Sequence, residues 1–385
     1  MRILHISPSY APAWRYGGPA FSVHNLCKSL VLLGHEVRVL TTNLNGNQYL
    51  DVPTAQWTLL DGVSVQYCSV PLLRKIYYSP QLVHSLSEES NAADIIHIHT
   101  VFCWPSSIAA YIARKGQKPY IISPRGMLIQ EMIEKKNRLL KHAWLSGIDR
   151  KNLEKASALH LTSDAEMIQT YKNKLVLPPA FVVPNGIDPL VWEAMKTTAW
   201  DRSRRGLTQK IVYLGRINWK KGIDRLIEAM KFINDAALLI VGNDDENYTP
   251  FLKKLANRHR VSARIHFSGP VYGAEKLQLL NDSDAFVLPS HSENFGNSVL
   301  EAMAMGCPVI ITPEVALSQI ISRENAGLVV DGNPVALGKA INSLLKNHIL
   351  RKELSINAEK VIKRYFDPTI IAKTMEQHYR RFIIL

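Results

Sequence analysis

The sequence predicts an α/β protein of two domains, each a mostly parallel sheet flanked by helices. Three observations carry that expectation. Short apolar runs alternate with amphipathic stretches from one end of the chain to the other. The strand–loop–helix–strand pattern that opens at Arg2 restarts at Gln209, after a polar, arginine-rich interval. At 385 residues the chain suits two domains, each able to bury its own core.

Arg2 to Ser7 reads as the first buried strand, and Pro8 to Gly18 as the loop after it. Pro19 suits the start of a helix because its ring fixes φ near the helical value. Phe21, Val23, Leu26, Leu30 and Leu33 give that helix an apolar face, Gly34 ends it, and Glu36 to Thr41 is the second strand. This is a mononucleotide-binding half. It lacks the G-x-G-x-x-G of a dinucleotide site. Gly17-Gly18 at the helix start either brings a phosphate close to the backbone or makes a tight turn.

Further strands are expected at Val63–Val70, Asp94–His99, Pro119–Ser123 and Ala158–Thr162. His97 and His99 alternate, so they share one face of their strand. The sequence places no third ligand beside them, which argues against a metal. Arg125, just past a strand end, either meets an anion or sugar or lies at the surface beside a turn. Met127 to Lys155 reads as a basic amphipathic helix. It carries Lys135, Lys136, Arg138, Lys141, Arg150, Lys151 and Lys155 among Leu128, Ile133, Leu139, Leu140 and Trp144. Such a helix either lies on an anionic membrane or packs one face on a core. Ser163-x-x-Glu166 is a capping box. Asn185-Gly186 marks a turn, and the segment running to Thr208 reads as a linker. The domains are therefore placed at 1–190 and 191–365, with a C-terminal helix at 366–385.

In the second half, strands are expected at Gln209–Leu214, Ala236–Gly242, Arg264–Gly269 and Ala285–Leu288, with a helix over Ile223–Phe232. Arg216 and Lys221 sit at opposite ends of a strand-to-helix loop. Fixed positive charge beside a helix N-terminus suits a diphosphate; an exposed basic loop is the alternative. Asp282-x-Asp284 has the look of a metal motif but precedes its strand, on the edge away from a ligand. Between the strand Ala285–Leu288 and a short helix over Val299–Met305 lie two carboxylates, Glu293 and Glu301. If Asn297 or Ser298 caps that helix, Glu301 falls in its first turn, and both carboxylates can face one cavity. Ser298-x-x-Glu301 also reads as a plain capping box.

The run E-N-F-G-N-S-V-L-E-A-M-A-M-G-C-P-V-I, from Glu293 to Ile310, closely resembles the signature of retaining glycosyltransferases of the GT-B class, family four. Phe181 to Asp188 and Gly215 to Asp224 are similar to that family as well, so the resemblance reaches nearly the whole chain. It implies two Rossmann-like domains facing across a cleft, with a C-terminal helix crossing back to the first. It implies transfer of a sugar from a UDP- or GDP-sugar to a glycan or lipid-linked acceptor, with retention, in surface polysaccharide or glycolipid biosynthesis. Metal and cofactor are expected to be absent. By resemblance Arg216 and Lys221 hold the donor diphosphate. Glu301 takes the ribose hydroxyls, and Glu293 holds the donor sugar or assists charge development. Asn294, Phe295, Gly296, Asn297 and Ser298 contribute backbone N–H groups, and Val271 lies near the base. Gly17, Gly18, His99 and Arg125 close the site from the first domain. A front-face displacement, in which the leaving phosphate takes the acceptor proton, needs no protein nucleophile.

Composition limits the alternatives. The net charge of +13 and pI near 9.5 suit an anionic substrate or membrane surface, and the excess is spread along the chain. Neither an aromatic-interleaved basic stripe nor a nucleic-acid motif is evident, so nucleic acid is not an expected partner. No apolar run is long enough to span a bilayer, and the first residues lack the core of a signal peptide. Cys27, Cys68, Cys103 and Cys307 form no metal-ligand pairs. A cytoplasmic protein is expected, at most peripheral to the inner face of the membrane. A non-catalytic nucleotide-sugar-binding protein of the same fold is the alternative reading, and a sugar phosphorylase a further one.

Overall fold

Apolar runs rich in Ile, Leu and Val on both faces bury best in a parallel sheet covered by helices. A computed structural model describes the chain except residues 136, 173–174, 198–208, 245 and 384–385, and the side chains of 135 and 197. The chain divides into two units: Met1–Gly186 with Pro368–Leu385, and Ile187–Asp367. The expected linker falls largely on 198–208, and Lys136 of the basic stretch is also outside the described residues.

The strands of the first unit are β1 (Arg2–Ile6), β2 (Glu36–Thr42), β3 (Leu44–Asn45), β4 (Gln48–Tyr49), β5 (Trp57–Leu60), β6 (Val63–Cys68), β7 (Ile95–His99), β8 (Tyr120–Ser123), β9 (Ala158–Leu161) and β10 (Ala180–Val182). Its main sheet runs β10-β9-β8-β7-β1-β2-β6-β5. Neighbours are parallel except β5 and β6, which form an antiparallel edge hairpin. The chain steps outward from β1 to β2 and β6, then returns to lay β7 on the other side of β1. Such a reversal leaves room for a ligand at the carboxyl ends of the two central strands.

The helix Gly18–Leu32 starts where Gly17 takes φ 70°, with Pro19 as its second residue. Val23, Leu26 and Leu30 are buried, as the spacing predicts. The C-terminal helix Pro368–Ile383 belongs to this unit and packs against that first helix. Its Ile371, Ala372, Met375 and Tyr379 are buried. Full burial of Ile371 and of Met375 is worth about 1.5–3 kcal/mol each. That is enough to return the chain's end across 181 intervening residues, Ile187 to Asp367.

The second unit holds β11 (Gln209–Leu214), β12 (Ala236–Val241), β13 (Ile265–Gly269), β14 (Ala285–Leu288), β15 (Val309–Ile311) and β16 (Leu328–Val329). Its sheet runs β13-β12-β11-β14-β15-β16, all parallel. Here the reversal lies between β11 and β14.

Two expectations change. Met127–Lys155 is not one helix. It breaks into Gln130–Lys135, Arg138–Trp144 and Arg150–Glu154, the last two joined by a π turn over Leu145–Asp149. The first break falls at Asn137, whose left-handed φ of 56° a continuous helix cannot contain. Leu128, Ile133, Leu145 and Leu153 turn inward, while Leu139 and Leu140 stay 85% and 61% exposed. The Ser163 capping box is half formed. Ser163 Oγ accepts from Glu166 N, but the Glu166 carboxylate accepts from Gly126 N and from Thr162 N and Oγ1.

Candidate active site

In the second unit four loops leaving carboxyl strand ends are tied together. After β11, Gly222 takes φ +63° against the loop after β14: a Cβ there would lie 2.0 Å from Pro289 O. Only glycine permits that approach. His291 N donates to Lys220 O at 2.7 Å, and Thr312 Oγ1, past β15, donates to Ser290 O at 2.7 Å. Glu293 bridges Val315 through backbone bonds of 3.1 Å to Glu314 O and from Ala316 N. Between β11 and β12, Gly242 packs so that a Cβ would meet Gly215 O at 1.8 Å.

Within that frame Lys221 Nζ and Glu293 Oε2 form an ion pair, their side chains 17% and 16% exposed. Arg216 is exposed and makes no side-chain ion pair among the described residues. Its backbone is anchored: Tyr213 Oη donates to Arg216 O at 2.7 Å. Tyr213 is fully buried. Burial first, then the Glu293 charge, pushes its phenol well above the usual range. Lys221 and Glu293 thus meet at the β11/β14 reversal although they arise from two loops, and Arg216, on the same loop as Lys221, acts with Glu293, in the opposite sense, on the Tyr213 phenol.

Glu301 sits elsewhere in its helix than expected. The helix is Asn297–Ala304 and its N-cap is Gly296, at φ 103°, with no side-chain cap bond. Neither Asn297 nor Ser298 caps it, and the Ser298–Glu301 capping box does not form. The left-handed turn at Gly296 starts the helix two residues early, which carries Glu301 into the second turn. Its Oε1 accepts from Lys276 Nζ at 2.8 Å. Lys276 lies on the helix Gly273–Asn281, which follows β13 through the turn holding Val271. No sequence signal marks Lys276: 25 residues separate it from Glu301 and no local pattern links them.

The backbone of Asn294 to Ser298 lines the same loop and helix start. Phe295 is 5% exposed and its ring packs edge-on to Phe366, so its side chain belongs to the core and only its backbone N–H can serve a ligand. Val271 is half-buried against the unit's core. Asp284 is buried at the amino end of β14, where it accepts from Lys210 N at 2.8 Å. It braces the strand start, on the edge away from these loops.

In the first unit the β1/β7 reversal holds histidines. Register pairs His5 with His97, and the expectation of no third ligand is wrong: His5, His97 and His99 offer ligand nitrogens within 4.8 Å of one another. Parallel pairing of two strands remote in sequence brings them together. His160 from β9 joins them. His99 is fully buried rather than lining an open surface, so a contact with sugar would require its neighbours to move. Both its nitrogens are used, by His5 Nδ1 at 2.9 Å and Arg125 Nη2 at 3.3 Å.

The hydrogen bonds assign every proton in the cluster. Arg125 can only donate, so His99 Nδ1 accepts and His99 Nε2–H donates to His5 Nδ1. That leaves His5 Nε2–H, buried with no acceptor among the described residues. Val183 O can only accept, so His160 Nε2–H donates to it at 2.8 Å. His97 Nε2–H then donates to His160 Nδ1, and Tyr379 O–H donates to His97 Nδ1 at 2.7 Å. Burial, then neighbouring positive charge, pushes His97 and His99 well below 6.5; His5 and His160 are held to about 3. All four are neutral, and all carry Nε2–H.

Arg125, at φ 53°, also donates to Asn185 Oδ1 at 2.7 Å, and burial holds its guanidinium down to about 10. Gly17 is half-buried and Gly18 exposed at the helix start. Gly17 N donates to Trp14 O at 3.0 Å.

Residues 16–189 match the family model described as Glycosyltransferase Family 4, and residues 199–361 the model described as Glycosyl transferases group 1. An uncharacterized glycosyltransferase of Methanocaldococcus jannaschii is 26% identical over 404 residues, covering 99% of this chain and 98% of that one. The capsular polysaccharide biosynthesis glycosyltransferase CapM of Staphylococcus aureus is 31% identical over 185 residues, covering 45% of this chain and 46% of its own. The crystal structure of Anabaena Alr3699/HepE in complex with UDP and glucose matches with a TM-score of 0.74 at 16% identity, covering 98% and 99%. Two α/β domains with parallel sheets and this likeness define the GT-B class. The chain belongs to the family-four glycosyltransferases.

Proposed function

We propose that the chain moves a hexose from a UDP- or GDP-sugar to a glycan or lipid-linked acceptor, with retention and without a metal. The observation that carries this reading is the Lys221–Glu293 pair at the β11/β14 reversal, with Arg216 on the same loop as Lys221 and Glu301 on the helix that follows. As the bond from C1 to the phosphate oxygen breaks, its electron pair passes to the diphosphate. Lys221, Arg216 and the backbone N–H groups of Asn294 to Ser298 stabilise that charge more than the ground state. The acceptor oxygen bonds to C1 on the face that the diphosphate leaves, and the acceptor proton passes to the leaving phosphate oxygen. Glu293 holds donor sugar hydroxyls, Glu301 the ribose, and the turn at Val271 the base. The first unit takes the acceptor. There Gly17-Gly18 allows close approach of the backbone, and His99 holds Arg125 toward the anionic or hydroxyl groups of the ligands.

The printed role of CapM in capsular polysaccharide biosynthesis supports a surface glycan as product, and the UDP and glucose bound to the Anabaena protein support a UDP-sugar donor. A thermal-shift screen against UDP- and GDP-sugars identifies the donor, since ligand binding stabilises the folded state. Proton NMR of the product's anomeric coupling then tests retention; an inverted product overturns the mechanism. A non-catalytic relative would shift with donor yet transfer nothing to any glycan or lipid acceptor.

The reading includes a cytoplasmic location with peripheral contact at an anionic membrane. No helix among the described residues is long and apolar enough to cross a membrane. Exposed Leu139 and Leu140 stand beside Arg138, a pairing that suits an interface. Co-sedimentation with phosphatidylglycerol vesicles that fades with salt is the expected result; equal recovery without vesicles removes the membrane from the proposal.

A further inference from the structure

We infer that Lys276 is a positioning residue that aims Glu301 and thereby sets the preference for a ribonucleotide over a deoxyribonucleotide donor. The inference rests on the reading of Glu301 as the ribose acceptor. Three features of the second unit carry it.

First, the pair is built, not incidental. Lys276 Nζ lies 2.8 Å from Glu301 Oε1, and the side chains are only 11% and 15% exposed. A partly desolvated pair is screened less by salt than a surface pair. Second, Lys276 is the fourth residue of its helix, Gly273–Asn281. A cation near the positive end of a helix dipole is disfavoured there. Contact with Glu301 offsets that local cost, so the lysine's place is set by what it touches across the fold. Third, the lysine occupies only one carboxylate oxygen. Glu301 Oε2 accepts no hydrogen bond among the described residues.

The geometry matches a vicinal diol. An ionised carboxylate has about four acceptor sites on two oxygens. The lysine uses one and fixes the carboxylate plane, leaving Oε2 and one lone pair of Oε1 for the two ribose hydroxyls. Without the lysine, a three-torsion side chain must be ordered by the ligand itself, and that entropy is charged to binding. Lys276 also lies one turn beyond the segment holding Val271, so the base-side helix and the ribose acceptor become one recognition unit.

The test is calorimetric titration of the full chain with UDP, GDP, dUDP and dGDP. Wild type is compared with Lys276→Met, Lys276→Arg and Glu301→Gln. Wild type should favour the ribonucleotide by about tenfold or more, the scale of a charge-assisted hydrogen bond. Lys276→Met should lose most of that preference, and Lys276→Arg should restore it. With the sugar donor, KM should rise while kcat changes little. Should the Met variant fail to fold, Lys276→Gln removes the charge with a shorter polar side chain and keeps the comparison. A lysine that merely braces two helices would lower Tm and leave the ribose preference intact, which overturns the inference while Glu301→Gln still abolishes the preference. If wild type and Glu301→Gln show the same ratio, the ribose reading falls, and this inference with it.

Discussion

Lys221 and Glu293 leave the carboxyl ends of two different strands, β11 and β14, and meet as an ion pair with both side chains more than four-fifths buried. A diphosphate entering this loop cluster therefore competes with Glu293 for the lysine. In the proposed mechanism this pair would tether Lys221 in the empty site, and Glu293 would be freed for sugar hydroxyls once phosphate took its place.

Glu293→Gln should accordingly bind free nucleoside diphosphate more tightly, by several-fold, while turnover drops by about a hundredfold or more. The first effect follows from releasing Lys221, the second from losing a charged contact of about 1.5–3 kcal/mol or more at the reacting sugar. Calorimetry with the diphosphate and initial rates with the sugar donor measure the two separately. Near-normal turnover would remove Glu293 from the chemistry.

Arg216→Ala and Lys221→Ala should each cost about tenfold to a hundredfold in kcat/KM, and together more. The fold should survive the arginine change, because Arg216 is exposed and its structural bond runs through its carbonyl. Lys221→Ala also leaves Glu293 buried without its partner, so circular dichroism should accompany the kinetics. Unchanged rates in a folded double variant would discard the diphosphate role.

Gly222→Ala should destabilise the second unit and abolish donor binding. The left-handed φ costs about 1–2 kcal/mol for a residue with a Cβ. The clash with Pro289 O at 2.0 Å also forces the two ligand loops apart. Thermal denaturation should show a lower Tm, and titration no heat with nucleotide. A variant of wild-type Tm that still binds would mean the loops do not depend on this contact.

Acid should unfold the first unit through its histidines. His5 and His160 are held near 3 and His97 and His99 well below 6.5, all chiefly by burial, so the folded state refuses protons that the unfolded chain accepts. The stability they carry is full above pH 6.5. It declines as pH falls from there toward about 3, by about 1.4 kcal/mol per unit for each histidine. Urea midpoints measured from pH 7.5 to 4.5 should fall steeply below about 6.5. His160→Gln, whose amide nitrogen reaches about as far as the imidazole Nε2 and so keeps a donor for Val183 O, should lessen the slope by about one proton. A flat profile would contradict neutral burial. The same proton assignments leave no lone pair in His5, His97 and His99 free for a metal, and Arg125 adds a nearby positive charge. A chelator should therefore leave turnover unchanged; loss restored by a divalent ion would reverse that reading.

The periodicity of short apolar runs was enough to read most strands of both sheets, because a buried parallel strand is written in consecutive residues. The hairpin strand β5 went unread although Asp61-Gly62, both at positive φ, mark its turn. The short strand β15 and the edge strand β16 carried too few residues for a pattern. Arg216, Lys221 and Glu293 were legible because each sits in a loop after a recognisable strand, and the family signature names the loop.

The sequence by itself determined two parallel-sheet domains, the strand-end loops that bear the charged residues, and the family. Only tertiary structure decided which charge meets which: Lys221 with Glu293, Lys276 with Glu301, and His5 with His97, His99 and Arg125. The physical reason is range. Strand and helix patterns repeat every two to four residues and can be read locally. A pair separated by 25, 72 or 94 residues is brought together only by the order of strands in a sheet, which no local pattern encodes.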